Sequence, residues 1–204
     1  MSFSPSDGGA AAIIAAALSF FIACAALAAE PVPRKAEACT VCHGPGGNST
    51  NPALPSLAGQ PAQFISLALF LFREGNRKDP QMSPMASGLS NAEMNELAAY
   101  FSTQRPAAPS HKTAPQIAAA GRRLAEQHHC VQCHGPALTG LQHIPRLAGQ
   151  QVEYLRTQLR GFKASTRFDM DGNMSSAAQP LSDADIEILA DYLSGLDGPA
   201  PSTR

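Results

Sequence analysis

The apolar and polar positions divide the chain into one unbroken apolar run followed by helical segments joined by long loops. Ala10 to Ala29 is wholly apolar or small and stops at Glu30-Pro31-Val32-Pro33. Farther on, Gln116 to Cys133, Gln150 to Phe162 and Asp183 to Leu196 read as helices. Ser182 is an N-cap with Asp185 in the first turn, and Ser90 with Glu93 makes the matching capping box earlier in the chain. Strand signals are absent, so the expected fold class is all-α. Loops this long and this rich in Gly and Pro argue against a compact domain unless they wrap something.

These segments repeat. Leu54-Pro55-Ser56-Leu57-Ala58-Gly59-Gln60 matches Ile144-Pro145-Arg146-Leu147-Ala148-Gly149-Gln150, and Phe64 matches Tyr154. Phe72 with Arg77 matches Phe162 with Arg167, and Leu89-Ser90 matches Leu181-Ser182. A period of about 90 residues is too long for a solenoid and fits two tandem domains. The expected division is an export signal over 1–29, a first domain over 30–105, a Pro-rich linker over 106–115, a second domain over 116–197 and a tail over 198–204. Three prolines make the linker extended and fairly stiff.

The apolar run carries its own readings. Ala25-Ala26-Leu27-Ala28-Ala29 offers small residues where a signal peptidase cuts. An uncleaved anchor is the alternative, since about 20 apolar residues span a bilayer. The residues before the run lack Lys and Arg and include Asp7. Phe21-Ile22-Ala23-Cys24 is similar to a lipoprotein cleavage box, which would put a lipid on Cys24.

Composition changes this picture in two ways. A formal net charge of −1 indicates neither a nucleic-acid footprint nor a general attraction to membrane surfaces. Aromatics make up 6% with no Trp, as expected where a bound group supplies the large apolar body of the core.

Cysteine usage identifies that group. Four of five cysteines lie in Cys39-Thr40-Val41-Cys42-His43 and Cys130-Val131-Gln132-Cys133-His134, leaving no pair for a structural disulfide. C-x-x-C-H is an attachment site for a c-type haem. Two thiols on one helical turn add to the two vinyl groups of a porphyrin, and the following imidazole is held beneath the iron. Cys39, Cys42, Cys130 and Cys133 are therefore the expected covalent attachments of two haems, with His43 and His134 as proximal ligands. A zinc ribbon built on the same cysteines would leave a central gap far beyond the usual 15–20 or so residues. A thioredoxin-like motif would need strands.

The sixth ligand is sought in the loops. Met82 and Met174 each lie seven residues before a Leu-Ser pair that opens the final helix of its half; Met85 and Met170 have no such counterparts. Met82 and Met174 are the expected axial ligands. Thioether ligation raises the potential and suits an electron-transfer haem. Arg156, Arg160, Lys163 and Arg167 recur at spacings of four, three and four, which reads as a solvated helical face or a docking patch for an acidic redox partner.

With these motifs in place, the two halves resemble class I c-type cytochromes, and residues from about Pro33 to Leu196 resemble the dihaem cytochrome c4 family. The resemblance rests on the two C-x-x-C-H motifs, the repeated L-A-G-Q and the spacing of Met to Leu-Ser. It implies two tandem cytochrome c-like domains, each wrapped around one covalent haem, in a periplasmic carrier of single electrons that is soluble or membrane-attached. The implied partners are a quinol-oxidising complex and a membrane-bound terminal oxidase. Pro55 and Pro145 would accept the proximal imidazole N–H, and Arg77 and Arg167 would lie near the haem propionates. A cytochrome subunit of a periplasmic dehydrogenase is the alternative, and a dihaem peroxidase a more distant one, since both halves offer a Met. Two departures stand out: only Arg34 to Cys39 precede the first motif as helix, and His143 enters the loop after His134 as a competing ligand.

Overall fold

The computed structural model describes residues 32–198 together with Met1 and Ser2; the export signal, the candidate lipid site at Cys24 and most of the tail lie outside the described residues. The described chain is all-α. The first half contains α1 (Arg34–His43), α2 (Ala62–Arg73), α3 (Met82–Ser87) and α4 (Asn91–Thr103). The second contains α5 (Pro115–Gln127), α6 (Cys130–His134), α7 (Val152–Lys163), α8 (Asn173–Ala178) and α9 (Asp183–Ser194). The one bridge of β type among the described residues, Leu141 to Ile144, closes a loop. No described helix is long and apolar enough to cross a membrane.

Each helix begins for a local reason. Ser90 and Ser182 accept the N–H of Glu93 and Asp185, whose carboxylates accept the serine N–H in return. That reciprocal pairing satisfies two otherwise open donors and fixes the start of α4 and α9. Pro115 opens α5, where its missing N–H costs nothing. α2 packs on α4 and α7 on α9, burying Ile65, Leu97 and Phe101 in one core and Leu155, Ile186 and Leu189 in the other. α5 crosses α9 closely because Gly121 lies against Tyr192: a Cβ there would stand 2.2 Å from the tyrosine Cβ.

The helix expected from Gln116 to Cys133 is broken. His129 adopts φ +57°, ending the run and placing the second motif on its own short helix, α6. In the first half α1 carries the motif without a break. The expected basic face also divides. Arg167 falls beyond the end of α7, while Arg156 and Arg160 both pair with Glu187 at 2.7 Å, and Arg156 also with Glu153. Its charge is largely compensated.

The stretch between α4 and α5 is tied down at both ends. Asn48 donates to the Arg105 carbonyl at 3.0 Å and accepts the Ala107 N–H at 2.7 Å. At the other end, Thr113 donates to the Asp191 carbonyl at 2.8 Å, and His111 lies 3.0 Å from the Asp191 carboxylate.

Candidate functional site

The two motif histidines occupy equivalent places. His43 and His134 are 6% and 7% exposed, and each Nδ1 lies against a proline carbonyl, Pro55 at 2.7 Å and Pro145 at 2.8 Å. With Nδ1–H donating to the carbonyl, the Nε2 lone pair stays free. Burial lowers the pKa of both imidazoles, which keeps that lone pair available, although the proline contacts act in the opposite sense. Cys39 and Cys130 are half-buried and Cys42 and Cys133 exposed, all four as free thiols. Burial raises the pKa of Cys39 and Cys130 and so disfavours their thiolates. These are the donors a covalently bound, axially ligated haem needs, and the residues fit the group in both halves.

The chain behind each proline makes a tight turn. Gly47 accepts the N–H groups of Leu57 and Ala58 on one carbonyl, at 2.7 and 3.0 Å, while Leu138 does the same for Leu147 and Ala148 at 2.8 and 3.1 Å. Gly47 takes φ +80°, and a Cβ would meet the Phe101 ring at 2.8 Å and the Ala58 nitrogen at 3.0 Å. The matching Leu138 tolerates φ +56° by burying its side chain.

Met82 and Met174 open or nearly open α3 and α8, and one carboxylate holds each in place. Asp79 accepts the N–H of Met82 at 2.8 Å and of Gln81 at 2.9 Å. Asp169 accepts the N–H of Met174 at 2.8 Å and the N–H and hydroxyl of Ser175 at 3.1 and 2.8 Å. Although burial opposes it, these bonds hold the Asp169 pKa below its ordinary value. Met82 and Met174 are half-buried, whereas Met85 and Met170 are 53% and 70% exposed. Met170 lines a groove formed by Leu67, Phe70 and Met94 of the other half. His143 is exposed. Both aspartates escaped sequence reasoning, although they stand at matching places after Arg77 and Arg167.

Those arginines converge. The Arg77 guanidinium stacks on Phe72 at 4.4 Å and the Arg167 guanidinium on Phe162 at 4.3 Å. Arg77 crosses to the second half, donating to Gln158 at 3.1 Å and Tyr154 at 3.3 Å, and Arg167 also donates to Gln158. Neither pairs with a carboxylate among the described residues, and Arg167 Nε has no partner. Burial pulls Arg167 down to about 10. Burial also opposes ionisation of Tyr154, but the two guanidiniums outweigh it and lower the phenol's pKa. Two converging guanidiniums, neither in an ion pair among the described residues, suit an anion such as a propionate.

The halves are joined by a reciprocal pair of amides. Gln60 donates to the Arg146 carbonyl at 3.0 Å and accepts the Arg146 N–H at 2.9 Å. Gln150 donates to the Ser56 carbonyl at 2.9 Å and accepts the Ser56 N–H at 2.7 Å. Each residue so held directly follows the proline that faces a histidine.

Comparison with known proteins agrees with this duplicated geometry. The family model for cytochrome c matches residues 34–105 and again 118–197. Cytochrome c4 from Thiocapsa roseopersicina is 38% identical over 169 residues, covering 78% of this chain and 86% of that one. The thiosulfate dehydrogenase electron acceptor of Thiomonas intermedia is 37% identical over 176 residues, covering 79% of each. A crystal structure of reduced recombinant cytochrome c4 from Pseudomonas stutzeri superposes with a TM-score of 0.74 at 31% identity, covering 79% of this chain and 95% of that one.

Proposed function

The chain belongs to the cytochrome c family, in the tandem form of the cytochromes c4, and from that premise we propose that it carries single electrons from a membrane respiratory donor to a terminal oxidase in the periplasm. It is a dihaem electron-transfer cytochrome with two covalent c-type haems and redox proteins as partners. Each bound haem supplies a one-electron couple between ferric and ferrous iron. The domains run over 30–105 and 116–197, with 106–115 between them and an export signal before them.

The geometry supports the following residue roles. Cys39 and Cys42, and Cys130 and Cys133, would hold a porphyrin through thioether bonds. His43 and His134 would present Nε2 to its iron, oriented by the carbonyls of Pro55 and Pro145. Met82 and Met174 would supply the remaining ligand of each iron and so deny oxygen and peroxide a binding place. Arg77 and Arg167 would hold the propionates. The observation that carries this reading is the repeated His–Pro contact beside two free thiols.

A second reading is favoured by one observation. The Thiomonas relative is a thiosulfate dehydrogenase electron acceptor; on this reading the chain would instead serve as the cytochrome subunit of a periplasmic dehydrogenase. Stopped-flow mixing separates the two. Reduced protein oxidised rapidly by oxidase-containing membranes, and re-reduced by a quinol-oxidising complex, supports the first. Re-reduction only by a dehydrogenase with its substrate supports the second. Rapid peroxide consumption with a reductant would overturn both.

A further inference from the structure

The interface between the halves is symmetric in its glutamines and asymmetric at one position. Gln60 and Gln150 do the same thing in opposite directions, but the residues they hold are Arg146 and Ser56. Ser56 is small: its hydroxyl accepts the Ser49 N–H of its own half at 3.2 Å and an amide hydrogen of Gln151 in the other half at 3.4 Å. Arg146 extends a guanidinium between the two L-A-G-Q turns. It donates to the Ala58 carbonyl at 2.9 Å and to the Ala148 carbonyl, the same residue in each repeat.

That guanidinium is deep in the molecule. Arg146 is 1% exposed and is the largest fully buried side chain described. It forms no ion pair among the described residues, and its Nε has no partner. Gly149 and Gly198 lie beside it, and a Cβ on either would stand at ordinary contact distance, 3.6 and 3.8 Å, from its Nη1. Two carbonyl dipoles satisfy hydrogen bonds without cancelling a unit charge. A buried unpaired cation is expensive to keep, and the equivalent place in the other half is filled by a neutral serine.

Resting on the dihaem reading, we infer that Arg146 is a fixed buried charge that raises the midpoint potentials of both haems. Each reduction adds one electron, supplied by the reduced partner, and removes one positive charge from a haem site. A nearby cation therefore favours the reduced state. Arg146 follows directly on Pro145, whose carbonyl holds His134, and its guanidinium lies between the carbonyls of Ala58 and Ala148, the same residue of each repeat. A unit charge about 10 Å away at an effective permittivity of about 20 shifts a one-electron equilibrium roughly tenfold. Held between equivalent carbonyls of the two repeats, it acts on both haems.

The test is potentiometric titration of the haem-loaded protein and of Arg146→Met and Arg146→Lys, followed by visible absorption. Haem content and low-spin spectra are recorded first. Wild type lacking two haems, or failing to cycle, would sink the dihaem reading instead of this one. Arg146→Met, which keeps the length and removes the charge, is expected to lower both potentials, with the ferric-to-ferrous ratio at a fixed ambient potential rising roughly tenfold. Arg146→Lys is expected to stay near wild type, and its urea midpoint shows whether loss of packing rather than charge is being read. Unchanged potentials in a folded Arg146→Met protein, or equal falls in the Met and Lys variants, would overturn the inference. If the Met variant does not fold, a Lys variant with lowered potentials overturns it, and one with wild-type potentials supports it when Arg146→Gln shows the fall.

Discussion

Gln150 accepts the backbone N–H of Ser56 at 2.7 Å and returns its own amide hydrogen to the Ser56 carbonyl at 2.9 Å, so a side chain of one half takes the place of a peptide group in the other. Gln60 and Arg146 form the mirror pair. Both glutamines are 3% exposed. Truncating either leaves a buried N–H and a buried carbonyl open, at about 1–3 kcal/mol for each orphaned group. Gln60→Ala and Gln150→Ala should each lower the urea midpoint. The double variant, which loses all four glutamine bonds between the halves, should lower the midpoint further and broaden the transition; a single sharp transition at the wild-type midpoint would refute this.

The choice between methionines can be read spectroscopically. Thioether bound to ferric iron gives a weak band near the red edge of the visible spectrum. Met82→Ala or Met174→Ala should halve it and lower the potential of one haem, whereas Met85→Ala and Met170→Ala should leave it intact. Loss of the band in either of the last two variants would show that register has chosen the wrong residue.

Asp79 and Asp169 give that assignment a second, independent handle. Asp79→Ala removes the acceptor for the Met82 N–H and should weaken the band of one haem only. Asp79→Asn keeps an acceptor oxygen and should retain it. Equal loss in both variants would mean that the charge, not the bond to Met82, is what matters.

Acid should loosen the first half through Glu93. Lys35 at 2.7 Å and the Ser90 cap pull this carboxyl from 4.5 down to about 2. A carboxyl depressed in the folded state binds fewer protons than when unfolded. Its contribution is therefore fully present above about pH 4.5 and fades as the pH falls toward about 2. The pair is exposed and screened by salt. Glu93→Gln should flatten the fall of the denaturation midpoint across this window, most visibly at low ionic strength.

Gly121→Ala pits two effects against each other. Alanine improves helix propensity by about 0.5–1 kcal/mol over glycine, but its Cβ would stand 2.2 Å from Tyr192 Cβ. Overpacking costs about 1–3 kcal/mol, so the clash wins and the melting temperature should drop. A rise would show that α5 moves off α9 at little cost.

Much of this architecture was legible because it depends on local pattern. The capping boxes at Ser90 and Ser182 follow from residue types three apart, and the duplicated motifs announce both cofactors. Phe72 with Arg77 and Phe162 with Arg167, paired by the repeat alone, prove to be stacked contacts. What escaped was tertiary. No propensity rule puts His129 at positive φ, so the helix before Cys130 looked continuous. Glu187 is 27 residues from Arg160, so the basic ladder on α7 looked uncompensated. The reciprocal glutamines lie inside the very L-A-G-Q repeat that sequence comparison found, yet their partners are 86 and 94 residues away.

The strap between the halves is held by Asn48 at one end and by Asp191 at the other. Any breathing of the interface thus leaves the two surfaces tethered, at an effective concentration on the order of millimolar or above. Reclosure is unimolecular and does not depend on how dilute the protein is. A soluble rival of equal affinity for either surface would have to exceed that local concentration to insert between the halves.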